Sequence, residues 1–116
     1  MIKDQLIYVA HPFGGNKANK YSIDTIMENL VMLDKNNTYL SPLHNFSMLY
    51  FETQYSKGLK ICLDMLNRCD ALVLCGDWET SKGCIGEWSF AIAKGLPIYT
   101  WKEWTDKLKE QGDNSR

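Results

Sequence analysis

Histidine is almost missing from this sequence. His11 and His44 stand alone and far apart, and neither an HExxH run nor paired cysteines occurs elsewhere. A metal centre is therefore not expected, and no cofactor motif stands in its place. The four cysteines, Cys62, Cys69, Cys75 and Cys84, lack CxxC spacing. Three of them lie in apolar segments, where free thiols pack as small hydrophobes, which speaks against a disulfide framework. A surplus of one charge is also missing: 13 basic against 14 acidic residues leave a net charge of −1. That balance excludes a general binder of polymeric nucleic acid and leaves a small nucleotide as the conceivable link to nucleic-acid chemistry. No apolar run approaches the length of a membrane span, and "MIKDQLIYVA" breaks its short one with charge, so a cytoplasmic location and no membrane partner are expected.

What is present is an alternation of strands and helices. With 116 residues, 45% of them hydrophobic, the chain reads as one domain with a real core. "LIYVA" (Leu6 to Ala10) is a short apolar strand covered on both faces, stopped by "HPFGG". Ile23, Ile26, Met27, Leu30 and Leu33 recur at helical spacing over about 19–35. "TYLSP" is a second strand, followed by an irregular aromatic connection, "LHNFSMLYFETQ", expected to wall a pocket. Leu59, Cys62, Leu63 and Leu66 mark an amphipathic helix, and "ALVLC" is the central strand. After the loop "GDWETSKG", a helix over about 84–94 carries Ile85, Trp88 and Ile92 on one side and stops at Gly95. "LPIYTW" is a strand, a last helix runs over about 102–111, and the tail at 112–116 is expected to fray. The pattern predicts a three-layer α/β/α sandwich over residues 1–111, Rossmann- or flavodoxin-like, with four or five parallel strands in the order 2-1-3-4. Ligands in such sheets bind beyond the carboxyl ends of the strands, where "HPFGGN" and "GDWETSKG" would meet.

The chemistry concentrates in "SKGCIGEW". Gly83 lies four residues before Glu87, on the same helix face, and leaves space above its carboxylate. Placed in the first turn, Glu87 would feel the helix dipole, which lowers its pKa and keeps it ionised as a nucleophile requires. Acidic residues also favour helix starts for that electrostatic reason alone. Ser81, with the amides that follow and the charge of Lys82, would suit an anion such as phosphate; it would equally serve as an N-cap. "HPFGG" is neither GxGxxG nor a Walker loop, although Gly14 and Gly15 allow a ligand close to the backbone. His11 is a catalytic candidate or a structural hydrogen-bonder, Tyr8 a core residue with a tethered hydroxyl, and Asp70 the boundary of its strand. Trp78 would stack on a base or cover the pocket.

Taken in order, "IYVAHPFGG", "RCDALVLCGDWETSKGCIGEW" and "AIAKGLPIY" resemble the nucleoside 2-deoxyribosyltransferase superfamily, and more closely its small members often encoded by bacteriophages. The resemblance implies Glu87 as nucleophile, Tyr8 as the residue that orients it, and Asp70 as the aspartate that starts the central strand; Asp70 or a neighbouring acid would protonate the departing base. The nucleoside transferases carry aspartate six positions before the glutamate. Ser81 stands there, as in the 2'-deoxynucleoside 5'-phosphate N-hydrolases, where serine binds the phosphate. "HPFGG" resembles their sugar-phosphate loop without its arginine. Phe13 or Trp78 would then flank the base, and His11 or Asn16 would contact sugar or phosphate. The implied enzyme cleaves or transfers the N-glycosidic bond of a (deoxy)nucleoside 5'-monophosphate through the glutamate nucleophile and without a cofactor. The rival is a non-catalytic nucleotide-binding protein, such as a phage protein that captures a nucleotide signal; a plain partner-binding domain is the third alternative. The family also implies a homo-oligomer, for which Tyr50, Phe51, Trp101 and Trp104 would supply apolar contact.

Overall fold

The computed structural model describes residues 3–12, 16–42 and 55–114. Four parallel strands form one sheet in the order β2-β1-β3-β4, with β1 Leu6–Ala10, β2 Thr38–Leu40, β3 Ala71–Leu74 and β4 Ile98–Thr100. Among the described residues the helices are α1 Lys17–Leu33, α2 Tyr55–Leu66, α3 Lys82–Lys94 and α4 Trp101–Asn114, with a 3-10 turn, Trp78–Thr80, ahead of α3. The expected strand order is therefore observed. The aromatic connection, including Tyr50 and Phe51, lies outside the described residues.

Strand alternation divides the core in two. Ile7, Val9, Ala71 and Val73 face Ile23 and Leu30 of α1 and Trp104 of α4. Tyr8, Ala10, Leu72 and Leu74 face the other way, toward Leu66 of α2 and Cys84 and Ala91 of α3. Side chains of β1 and β3 thus meet a helix layer on both faces, which is why these segments are almost wholly apolar.

The helix ends follow local chemistry. Asn16 caps α1, its side-chain oxygen accepting from the amides of Ala18 and Asn19. At α4, Thr100 and Glu103 close a reciprocal capping box: the Thr100 amide donates to Glu103 and the Glu103 amide to Thr100 Oγ. Gly95 ends α3 with φ +80°, a left-handed conformation that side chains resist, and its amide returns to the carbonyls of Ala91 and Ile92.

Two expectations need correction. The sheet-facing stripe of α3 is Cys84, Glu87 and Ala91, one residue out of phase with Ile85, Trp88 and Ile92. One residue is about 100° of rotation, and Ile92 is accordingly exposed. Trp104 is no surface aromatic: it is fully buried, its indole N–H donating to Tyr39 Oη at 3.0 Å, while Trp101 packs half-buried against the same core. The helix α4 itself runs from Trp101 to Asn114. Among the described residues no helix is long and apolar enough to cross a membrane.

Candidate active site

The site begins with a tyrosine inside a strand. Tyr8 is fully buried between β1 and the α2/α3 layer, and a phenol without water must find a hydrogen-bond partner. It donates to Glu87 Oε2, joining residues 79 apart in the chain. Glu87 is the sixth residue of α3 and lies in its second turn; only 7% of it is exposed. It is therefore no solvent-facing charge.

Burial also reverses the expected electrostatics. The helix-dipole effect fades beyond the first turn, whereas loss of water penalises the charged carboxylate directly. Burial raises the Glu87 pKa from its ordinary 4.5 to about 7, with the Tyr8 hydrogen bond pulling in the opposite direction. The expectation of a lowered value is thus overturned. Burial, followed by the Glu87 carboxylate, pushes the Tyr8 phenol far up, so Tyr8 stays protonated and remains a donor.

Two thiols complete the surroundings. Cys62 of α2 packs against the cluster that contains Tyr8, and burial and then Glu87 push its pKa up. Cys84, one turn before Glu87 on α3, is pushed up to about 12, by burial first and Glu87 second. Sequence reasoning took both only as packing residues. The available signal was spacing: Cys84 lies three residues before Glu87 on one helix face.

Around this centre the other candidates divide. Ser81 is the N-cap of α3, its hydroxyl accepting from the Cys84 amide at 3.2 Å; it is half-buried, Gly83 likewise, and Lys82 is exposed. Trp78 stacks obliquely on Trp88, with ring centroids 5.9 Å apart at 42°, and both pack against the Tyr8 side of the core. The pair fastens the 3-10 turn to α3. Trp88 had been assigned only to packing.

His11 lies at the end of β1. Its Nδ1 is 2.7 Å from the Pro12 carbonyl and its Nε2 3.0 Å from Ser22 Oγ. A carbonyl only accepts, so Nδ1 carries the proton in that contact. The ring also sits against Gly76, where an added Cβ would come within 2.9 Å of Nε2, and Gly76 has φ +61°. His11 thereby packs the first loop onto the one after β3, and it holds hydrogen-bond partners of its own within the protein. Asn16 spends its side-chain oxygen on the α1 cap.

Asp70 is not brought to the carboxylate. Its Oδ2 accepts from the Leu6 amide at 2.8 Å, and its own amide donates to the Leu6 carbonyl at 2.8 Å. It ties the amino ends of β1 and β3 together, away from the ends where ligands bind in such sheets. Phe13, Gly14 and Gly15 lie outside the described residues. Among the described residues, no group of three or more His, Cys, Asp or Glu is placed to hold a metal.

Comparison with known proteins bears on the fold and on the family. The fold resembles the solved 2-deoxyribosyltransferase of the psychrotolerant bacterium Bacillus psychrosaccharolyticus, with a TM-score of 0.63 and 22% identity over 82% of this chain and 70% of that one. At such identity the likeness establishes the fold alone. No curated protein matches the chain. The family described as a domain of unknown function, DUF4406, matches residues 5–100. That match spans most of the molecule, and the protein belongs to this family.

Proposed function

We propose that the protein cleaves or transfers the N-glycosidic bond of a nucleoside 5'-monophosphate, with Glu87 as nucleophile and Tyr8 as the residue that orients it. The observation that carries this reading is the Tyr8 hydroxyl hydrogen-bonded to a buried carboxylate near the start of α3. A half-ionised glutamate inside a core costs stability, and such groups concentrate where chemistry needs them. Its hydrogen-bond partner among the described residues is the uncharged Tyr8 hydroxyl, which orients the carboxylate without neutralising it.

In the first step a Glu87 oxygen attacks the anomeric carbon as the bond from that carbon to the base nitrogen breaks. The base leaves with the bonding electrons and takes up a proton, through an oxocarbenium-like state. The result is a glycosyl ester of Glu87. Water then attacks the same carbon, restoring the carboxylate and releasing the sugar phosphate; a second base in place of water gives transfer. Tyr8 keeps one carboxylate oxygen engaged throughout, which leaves the other to attack. Ser81 and the amides at the start of α3 would receive the 5'-phosphate at the positive end of the helix, and the Trp78–Trp88 pair supplies an aromatic surface beside the loop for the base. The sugar-phosphate specificity rests on Ser81.

The test is release of free base from deoxynucleoside monophosphates by wild type and Glu87→Gln. Release by wild type alone supports the nucleophile. Equal release by both removes Glu87 from the mechanism, and tight binding of the nucleotide by both without release makes the protein a binding module.

A further inference from the structure

The loops that leave the carboxyl ends of β1 and β3 meet at one contact. The Cys75 amide donates to the Ala10 carbonyl at 2.9 Å, and directly beyond that bond His11 stands against Gly76. Gly76 has φ +61°, and a Cβ there would lie 2.9 Å from His11 Nε2. A loose side chain would swing out of the way, but both nitrogens of this ring are engaged. Nδ1 donates to the Pro12 carbonyl at 2.7 Å, and Nε2 lies 3.0 Å from Ser22 Oγ of α1. A neutral ring accepts there from Ser22 and a protonated ring donates to it, since a hydroxyl serves in either role. The ring is thus held in one orientation, with a glycine fitted against it.

The chain that follows Gly76 is braced from within. The Thr80 amide and Oγ1 both return to the Asp77 carbonyl, at 3.0 and 2.8 Å, and the Ser81 amide returns to the Trp78 carbonyl at 3.1 Å. Ser81 then caps α3, and Trp78 is stacked on Trp88 of that helix. A displacement at Gly76 is therefore carried on to Trp78 and Ser81. We propose that His11 is a positioning residue of the site: its ring, held by Pro12 and Ser22, is the stop against which Gly76 sets the loop bearing Trp78 and Ser81, and so it governs how well the site holds a nucleotide. The effect falls on binding and not on the chemical step. His11 reaches α1 on one face of the sheet, whereas Tyr8 and its bond to Glu87 lie on the other, with α2 and α3.

This inference rests on the proposed nucleotide site, so one of its two readouts needs no substrate. Wild type, His11→Ala, Gly76→Ala and the double variant are compared by the indole N–H resonance of Trp78, assigned through Trp78→Phe, and by kcat and KM for base release from a deoxynucleoside monophosphate. Gly76→Ala is expected to move the indole resonance and to raise KM about tenfold, with kcat within about twofold. In the His11→Ala background the same substitution adds less than about twofold, because the ring it strikes is gone. His11→Ala alone raises KM about fivefold. A Gly76→Ala chain that folds only together with His11→Ala is the same result in its strongest form. Backbone strain at the positive φ alone predicts an equal effect of Gly76→Ala with and without the ring, and a plain packing role predicts an unchanged KM in both folded single variants; either result overturns the proposal. His11→Asn keeps a donor toward the Pro12 carbonyl but stops short of Gly76, and it carries the expectation of alanine should His11→Ala fail to fold. If the indole resonance follows the expected order while wild type releases no base, the proposed reaction is wrong and the role of His11 in setting the loop stands.

Discussion

Among the described residues two tyrosine–carboxylate pairs stand one on each face of the sheet, and they differ in how fully the carboxylate is used. Tyr39 donates to Asp34 at 2.5 Å, but Asp34 also accepts from the Asn36 amide and from Asn37 Nδ2, while Tyr39 Oη accepts from the Trp104 indole. Glu87 receives one such bond among the described residues, from Tyr8. Asp34 closes the C-terminal end of α1 and steadies the turn into β2; its acceptor sites are spent on structure. Glu87 is as buried but far less satisfied. The lesson is that burial alone marks neither pair as functional, and that a buried carboxylate short of donors retains capacity for chemistry at the expense of stability.

Substitution of the two acids should separate them most widely. Glu87→Gln is expected to lower base release by on the order of 10³-fold or more, while Asp34→Asn leaves turnover within about twofold and costs about 1–3 kcal/mol of stability, measured by denaturant titration. Loss of turnover in Asp34→Asn at full folding would break the contrast.

Stability against pH sharpens it next. The Glu87 pKa is about 7 in the folded protein and 4.5 ordinarily, so the folded state is the poorer acid. Its contribution is fully present below about 4.5 and is lost as pH rises toward 7, a decline of about 3 kcal/mol. Glu87→Gln should flatten this slope between those values. A wild-type curve already flat there would show that Glu87 ionises in the fold as it does in the unfolded chain.

The two phenols come third. Tyr8→Phe removes the bond that lowers the Glu87 pKa, so the pH at which base release is half-maximal should rise by about one unit, with roughly tenfold slower release at pH 6.5. Tyr39→Phe should leave that profile unmoved and cost about 1 kcal/mol of stability. Matching profiles in the two variants would deny Tyr8 its orienting role.

The smallest effect is expected at Ser81. Ser81→Ala loses the α3 cap, worth about 1 kcal/mol. If the hydroxyl also meets phosphate, KM should rise about tenfold for a nucleoside 5'-monophosphate and hardly at all for the nucleoside. Equal changes for both substrates would reduce Ser81 to a cap.

Much of this was legible in the chain. "LIYVA" and "ALVLC" declare themselves as strands covered on both faces, because no polar side chain except the Tyr8 hydroxyl interrupts them. Gly95 announces the end of α3, since few other residues accept its left-handed backbone. The phase of α3 was not legible. "CIGEWSFAIA" offers apolar residues on nearly every side, and the stripe with the larger ones, Ile85, Trp88 and Ile92, outweighs Cys84 and Ala91 by hydrophobicity. The smaller residues win the sheet-facing side because helix and sheet pack closely there. Trp104 was misread for the opposite reason. "WKEWTDKLKE" is charged enough to look like a surface helix, and its buried tryptophan is fixed by Tyr39, 65 residues away.

By itself, then, the sequence determined the order of the elements, the parallel sheet they build and the candidacy of Glu87, because strand and helix periodicity, turns and caps are properties of neighbouring residues. Only the tertiary structure decided that Glu87 points inward, that its pKa is raised and not lowered, that the implied Tyr8 hydroxyl does reach it, and that Asp70 does not. Desolvation and hydrogen bonding depend on groups brought together from distant parts of the chain, and no local pattern records them.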